Sequence, residues 1–94
     1  EKERRSKWLK TKYKLSYEEY EKLFINQRGL CAICQVKISI EAKLNGHDTA
    51  CVDHNHATLK VRGLLCNHCN RAIGLMKENI ESMKQMIFYL ENSN

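Results

Sequence analysis

The run Cys51-Val52-Asp53-His54-Asn55-His56 packs one carboxylate and two imidazoles into four residues, Asp53 to His56. Groups of this kind at this density suggest metal and phosphate chemistry. An isolated histidine is ordinarily a surface residue or a satisfied core residue. Here the local density and the frame around the run argue for a site. The frame is two CxxC pairs, Cys31-Ala32-Ile33-Cys34 and Cys66-Asn67-His68-Cys69. Zinc prefers tetrahedral coordination by thiolates, and a CxxC turn offers two sulfurs to one ion. Two such turns make a closed site of Cys31, Cys34, Cys66 and Cys69. A closed site has no open position for substrate, so its role is structural. Thirty-one residues separate Cys34 from Cys66, so the ion ties distant parts of the chain together. Two disulfides are the competing reading, and His68 is an alternative to one of the sulfurs. With no secretory signal, zinc comes first. Cys51 reads as a small buried apolar residue.

Particular elements must hold these groups. Cys51 to His54 reads as a short strand, Asn55 to Lys60 as a turn, and Val61 to Leu65 as a second strand antiparallel to the first. Adjacent strand residues point to opposite faces. Asp53 and His54 can therefore serve one centre only if the hairpin is twisted or bulged there. Gly63 suits close packing or such a bulge. A helix is expected from Asn70 to Met76, starting where the second knuckle ends. Upstream, Ser16 and Glu19 fit a capping box for a helix over about 17–27, with Gly29 as its stop. Residues 35–50 read as irregular and polar, with a turn at Asn45-Gly46. Asn79 is the expected N-cap of a last helix, in which Ile80, Met83, Ile87 and Leu90 form one apolar stripe. The simplest use of that stripe is packing against the 17–27 helix, and a dimer seam is the alternative.

Ninety-four residues suggest one domain, too small to rest comfortably on its core alone. Residues 1–14 hold seven Lys/Arg against two Glu, whereas the rest of the chain is balanced. The excess charge sits on a basic N-terminal arm or helix that Trp8, Leu9 and Tyr13 can anchor, followed by one domain over 15–94. A basic arm is an electrostatic footprint for nucleic acid, and its bland counterpart is a solvated terminus. Arg4, Arg5, Lys7, Lys10 and Lys12 are the candidate DNA contacts. There is neither a signal-peptide pattern nor an apolar run of membrane-spanning length. The expectation is an intracellular protein in a bacterial cytoplasm, encoded by a phage or by its host, with no membrane partner.

The string CAIC followed by VDHNHATLKVRGLLCNHCN resembles the recombination endonuclease VII family of HNH, or ββα-metal, nucleases. The resemblance covers roughly Lys12 to Leu90. It implies a small α+β fold: a zinc-stapled ββα-metal core, treble-clef-like, with flanking helices. It implies a metal-dependent DNA endonuclease, a phosphodiester hydrolase that nicks DNA or cleaves branched DNA. Asp53 and Asn70 would bind the catalytic divalent ion and His54 would be the general base. The products would be 5′-phosphate and 3′-hydroxyl ends.

The residue chemistry agrees with these roles. A carboxylate and an amide oxygen are hard ligands suited to Mg²⁺ or Mn²⁺. A neutral imidazole can take a proton from water near pH 7. His56 can hold the scissile phosphate, orient His54 or serve as structural support. Arg62 and Arg71 are phosphate candidates with solvated side chains as their alternative. No base-reading module is visible, so sequence specificity should be weak. A homodimer or a larger phage or host assembly is compatible with the last helix. The rival function is a non-catalytic zinc-bound module or DNA-binding regulator, which would need the cysteines but not Asp53, His54 and Asn70 together.

Overall fold

The computed structural model describes residues 2–41 and 48–93, with side chains from Ser6 onward. The side chains of Arg4 and Arg5 and the Asn45-Gly46 turn lie outside this range. The described chain is a small α+β structure of four helices and one two-stranded sheet. None of these helices is long and apolar enough to cross a membrane.

Helix α1 runs Lys2–Tyr13. Leu9 is fully buried, and Trp8 and Tyr13 pack against the core beside it. Lys14 takes a left-handed conformation, φ 55°. The Leu15 N–H then bonds Leu9 O at 3.3 Å and the Lys14 N–H bonds Lys10 O at 3.1 Å, closing the helix while Leu15 turns into the core. Helix α2 runs Tyr17–Asn26. Its capping box is present: Ser16 Oγ accepts from the Glu19 N–H at 3.1 Å, and Glu19 Oε1 accepts from the Ser16 N–H at 2.9 Å. Tyr17 and Tyr20 are its buried face. Past the Gln27 cap, Arg28 at φ 58° and the expected Gly29 at φ 70° are both left-handed, and the Gly29 N–H bonds Phe24 O at 2.9 Å to close the helix.

Strands β1 (Cys51–His54) and β2 (Val61–Leu65) have the expected bounds and pair antiparallel. Cys51 faces Leu65, Val52 faces Leu64 and Asp53 faces Gly63, but His54 faces Val61. Arg62 is thus the extra residue of a β-bulge between Asp53 and His54. The connecting turn is an Asx turn, in which Asn55 Oδ1 accepts from Ala57 at 2.8 Å and Thr58 at 3.0 Å.

Gln27 joins α2 to the hairpin. Its Nε2 donates to Leu30 O at 2.8 Å and Leu64 O at 2.9 Å, and its Oε1 accepts from the Leu64 N–H at 2.9 Å. A Cβ on Gly63 would come within 3.0 Å of that Oε1, so the glycine permits the close approach. Truncating Gln27 strands polar groups around the fully buried Leu64. Gln27→Ala should therefore cost about 1–3 kcal/mol, measured as a shift of the urea midpoint at unchanged slope. An unshifted midpoint would show that the amide contributes nothing.

Three expectations need correction. Helix α3 spans Asn67–Leu75, starting inside the second knuckle rather than at Asn70. The cause is a sulfur cap: Cys66 Sγ accepts from the Cys69 N–H at 3.4 Å, as a Ser or Asp oxygen would. Residues 35–50 are not merely polar filler. Ile38, Ile40, Thr49 and Ala50 are buried, and Ser39 bridges Thr49. The signal was Val36-Lys37-Ile38-Ser39-Ile40, an alternation with the period of an extended chain. Finally, helix α4 (Ile80–Ser93) starts at the expected Asn79 cap, whose Oδ1 accepts from the Ser82 N–H at 2.9 Å, but it buries no residue. Its Met83, Ile87 and Leu90 face a shallow groove shared with Ile33 and Ile73 rather than the face of α2. Left-handed Lys77 and Glu78, both at φ 54°, redirect the chain before α4 begins.

Candidate active site and metal centre

The two knuckles come together. The sulfurs of Cys31, Cys34, Cys66 and Cys69 lie within 4.8 Å of one another, with Cys34 and Cys66 Sγ 3.6 Å apart. None of the described cysteines is in a disulfide. The Ile33 N–H donates to Cys31 Sγ at 3.4 Å, as the Cys69 N–H does to Cys66, so turn backbone stabilises charge on sulfur. Burial resists ionisation of Cys31, yet hydrogen bonds around Cys66, Cys34 and Ile33 bring its thiol down to about 6. Burial, then hydrogen bonding with the other three sulfurs, pushes Cys69 up to about 12. One sulfur thus ionises at the expense of another, and a cation is needed for all four to be thiolates. A closed set of four soft donors fits a tetrahedral ion such as zinc. His68 is exposed and stands outside this group, and the group is the only metal-capable cluster of three or more His, Cys, Asp or Glu among the described residues. Cys51 is also outside it, half-buried rather than buried, its Sγ 3.9 Å from Thr49 O.

The bulge delivers Arg62 to Asp53. Arg62 Nε donates to Asp53 Oδ2 at 2.7 Å and Nη2 donates to Oδ1 at 3.0 Å, a two-point grip. Nη2 also reaches His54 O at 3.3 Å and Glu78 Oε1 at 2.9 Å. The Asp53 bond, then Glu78, raises the Arg62 pKa further, so this cation is permanent. The other oxygen of Glu78, Oε2, bonds Nδ1 of His56. His56 hydrogen bonding, then Arg62, holds the Glu78 carboxyl below its ordinary range.

Strand β1 ends at His54, so alternation does not carry His56 to its side. The turn does: the two rings are 4.7 Å apart between centroids and edge-to-face. Tyr13 of α1 covers His54 from another side, at 5.4 Å. Neither ring nitrogen of His54 hydrogen-bonds a described residue. Burial raises the Tyr13 hydroxyl pKa, so the ring stays neutral beside it.

Asn70 sits half-buried in α3, one residue past the tetrad. It lines a cavity of about 140 Å³ with Trp8, Tyr13, Tyr20 and the start of β1. Its side-chain amide makes no hydrogen bond to a described residue. Asn70 therefore shares Tyr13 with His54, but it makes no direct polar contact with Asp53. A carboxylate has lone pairs beyond the two that Arg62 engages. Asp53 and the unengaged Asn70 amide thus retain hard-oxygen donors that fit Mg²⁺ or Mn²⁺.

The predicted phosphate contacts divide. Arg62 belongs to the site. Arg71 is exposed on α3 and forms no ion pair with a described residue. Lys7, Lys10 and Lys12 are exposed on α1, and Lys12 Nζ lies 5.8 Å from the Trp8 ring and 5.7 Å from the Tyr13 ring. Lys12 thus lies beside Tyr13, the ring that covers His54. Sequence reasoning missed Glu78, which looked like linker between helices, and missed Tyr13 as a neighbour of His54.

A family model described as recombination endonuclease VII matches residues 6–92. The chain is 38% identical over 81 residues to the gene 59 protein of Mycobacterium phage L5, covering 85% of this chain and 46% of that protein. It is 39% identical over 79 residues to the gene 59 protein of Mycobacterium phage D29, covering 83% of this chain and 44% of that protein. The chain thus spans less than half the length of either relative.

Proposed function

The chain belongs to the recombination endonuclease VII family, and from that premise we propose that it is a metal-dependent DNA endonuclease of the HNH type. The carrying observation is His54, whose ring nitrogens engage no described residue, held between Tyr13 and His56 and next to Asp53 in β1. The succession β1, β2, α3, with the cysteine tetrad at the start of α3, supports reading it as a ββα-metal unit with structural zinc. The rest of the chain, α1 apart, is then one endonuclease domain over 15–94.

In this reading Asp53 and Asn70 hold one Mg²⁺ or Mn²⁺, which when bound neutralises charge on the phosphate and on the departing 3′ oxygen. His54 takes the proton from the attacking water, leaving a 5′-phosphate and a 3′-hydroxyl. Arg62 adds a fixed positive charge at the phosphate without needing to ionise. Tyr13 and His56 restrict the His54 ring and exclude bulk water from two of its sides. The substrate is DNA, bound chiefly through its backbone and either nicked by the enzyme or, where branched, cleaved. The apolar residues that α4 leaves exposed, Ile87 and Leu90 among them, support assembly with a second copy or another subunit.

A cleavage panel of single-stranded, duplex and four-way-junction DNA, with Mg²⁺, with Mn²⁺ and with neither, tests the activity. Ion-dependent breaks with 5′-phosphate ends are expected. Binding without cleavage on every substrate would favour the non-catalytic module instead.

The α1 lysines should act through phosphates alone. Replacing Lys7, Lys10 and Lys12 with Ala should weaken binding equally on unrelated sequences. It should also flatten the dependence of log affinity on log salt by about 0.9 for each lost contact. An unchanged salt slope would remove α1 from the DNA interface.

A further inference from the structure

We propose that Glu78 is a positioning residue of this site, locking His56 and Arg62 together as one clamp for the phosphodiester anion. This rests on the nuclease reading above. Glu78 is remote in sequence from both partners, yet one of its oxygens bonds Nδ1 of His56 and the other bonds Arg62 Nη2 at 2.9 Å. Its side chain is 23% exposed, while that of His56 is 72% exposed. An ion pair this open adds little to folding stability. Lys77 and Glu78, both left-handed at φ 54°, close the end of α3 with the Glu78 N–H on Ile73 O at 3.0 Å, and this turn brings the Glu78 carboxylate to His56 and Arg62.

The chemistry says what the clamp presents. A carboxylate accepts only, so His56 carries its proton on Nδ1, and the second nitrogen, Nε2, remains for another partner. Arg62 spends Nε and Nη2 on Asp53, His54 O and Glu78. Nη1 engages none of the described residues and keeps two N–H donors. Glu78 thus fixes the tautomer of one ring and the plane of one guanidinium, leaving the Nη1 donors for oxygens of the bound phosphate and the Nε2 lone pair for a donor such as a phosphate-bound water. It also balances the charge of Arg62, so that Asp53 is not the sole anion facing that cation.

Glu78→Ala and Glu78→Gln separate this role from a structural one. A glutamine can accept at only one of its two ends, so it cannot serve both N–H groups. Single-turnover cleavage should fall about 10- to 100-fold in both variants, the usual cost of losing such a support. DNA affinity, measured without divalent cation, and thermal midpoint should stay near wild type. The ¹⁵N spectrum of the His56 ring should show protonated Nδ1 in the wild type and a mixture of tautomers in the variants. Adding His56→Ala to Glu78→Ala should slow cleavage less than it does in the wild type. Where the alanine variant fails to fold, the glutamine variant carries the test. A wild type that cleaves, with variants that cleave at its rate, overturns the clamp alone. A wild type that never cleaves overturns the nuclease reading and the clamp with it. The ring spectrum reports the Glu78 bond in either case.

Discussion

His54→Ala is expected to lose about 10²- to 10⁴-fold in the rate of DNA cleavage while remaining folded and zinc-loaded. That range corresponds to about 3–5 kcal/mol of barrier. The expectation follows from how Arg62, His56 and His54 are employed. Arg62 is committed to Asp53, Glu78 and a carbonyl, and its protonation is permanent. His56 has Nδ1 committed to Glu78. His54 alone has two ring nitrogens without a partner among the described residues, in a position fixed by Tyr13 and His56. Whichever of those nitrogens lacks a proton can accept one without first breaking a bond. Its ring makes only two edge contacts, and its backbone stays in β1, so the fold should tolerate the change. Plasmid nicking under single-turnover conditions reads the loss, with circular dichroism and metal analysis as controls. Equal rates for wild type and variant would sink the assignment of His54 as base. Loss of cleavage together with loss of zinc would instead mark a structural role.

Stripping zinc should unfold the domain outright. Structural zinc in small finger peptides contributes roughly 10–16 kcal/mol of apparent binding free energy, against a typical total stability of 5–15 kcal/mol for a folded domain. In this chain the tetrad is the clasp between the turn after α2 and the start of α3. It also supplies the cap of α3 through Cys66 Sγ, so losing the ion loosens the helix that carries Asn70. The buried core is short of large side chains: Tyr20, Leu9, Leu64 and Cys31 are the largest fully buried ones. A strong chelator should therefore abolish the cooperative melt and free the Trp8 fluorescence. Readdition of one equivalent of zinc under reducing conditions should restore both. Withdrawing only Mg²⁺ should halt cleavage and leave the melt untouched, because the proposed Asp53 and Asn70 ligands share no donor with the tetrad. A cooperative melt that survives complete chelation at its original midpoint would refute the structural role.

Much of the local structure could be read from residue order. Ser16 and Glu19 announced their capping box and Asn79 its cap, because a side chain that caps a helix does so within three residues. The hairpin strands were legible to the residue, since two short runs holding Val52 and Val61 flank a turn-forming Asn55. The tetrad was legible because CxxC spacing matches the bite of one tetrahedral ion. Where a cap was unconventional, as with Cys66, the start of α3 was placed three residues late. Where an alternation is short, as at Val36 to Ile40, core residues look like loop.

The sequence by itself determined the chemistry available here: four sulfurs, one acid, two imidazoles, an amide and a basic helix, each on its element. The tertiary structure alone decided which of them meet. The one-residue slip at Arg62 turns that side chain onto Asp53, and two left-handed residues bring Glu78 back to His56. The path of α1 lays Tyr13 on His54. The same change of direction at residues 77–78 carries the stripe of α4 away from α2. Capping, pleating and ligand bite act over a few bonds, so they are written in spacing. The partners of Arg62, Tyr13 and Glu78 depend on where whole segments travel, which bulges and positive φ angles set and no short-range pattern records.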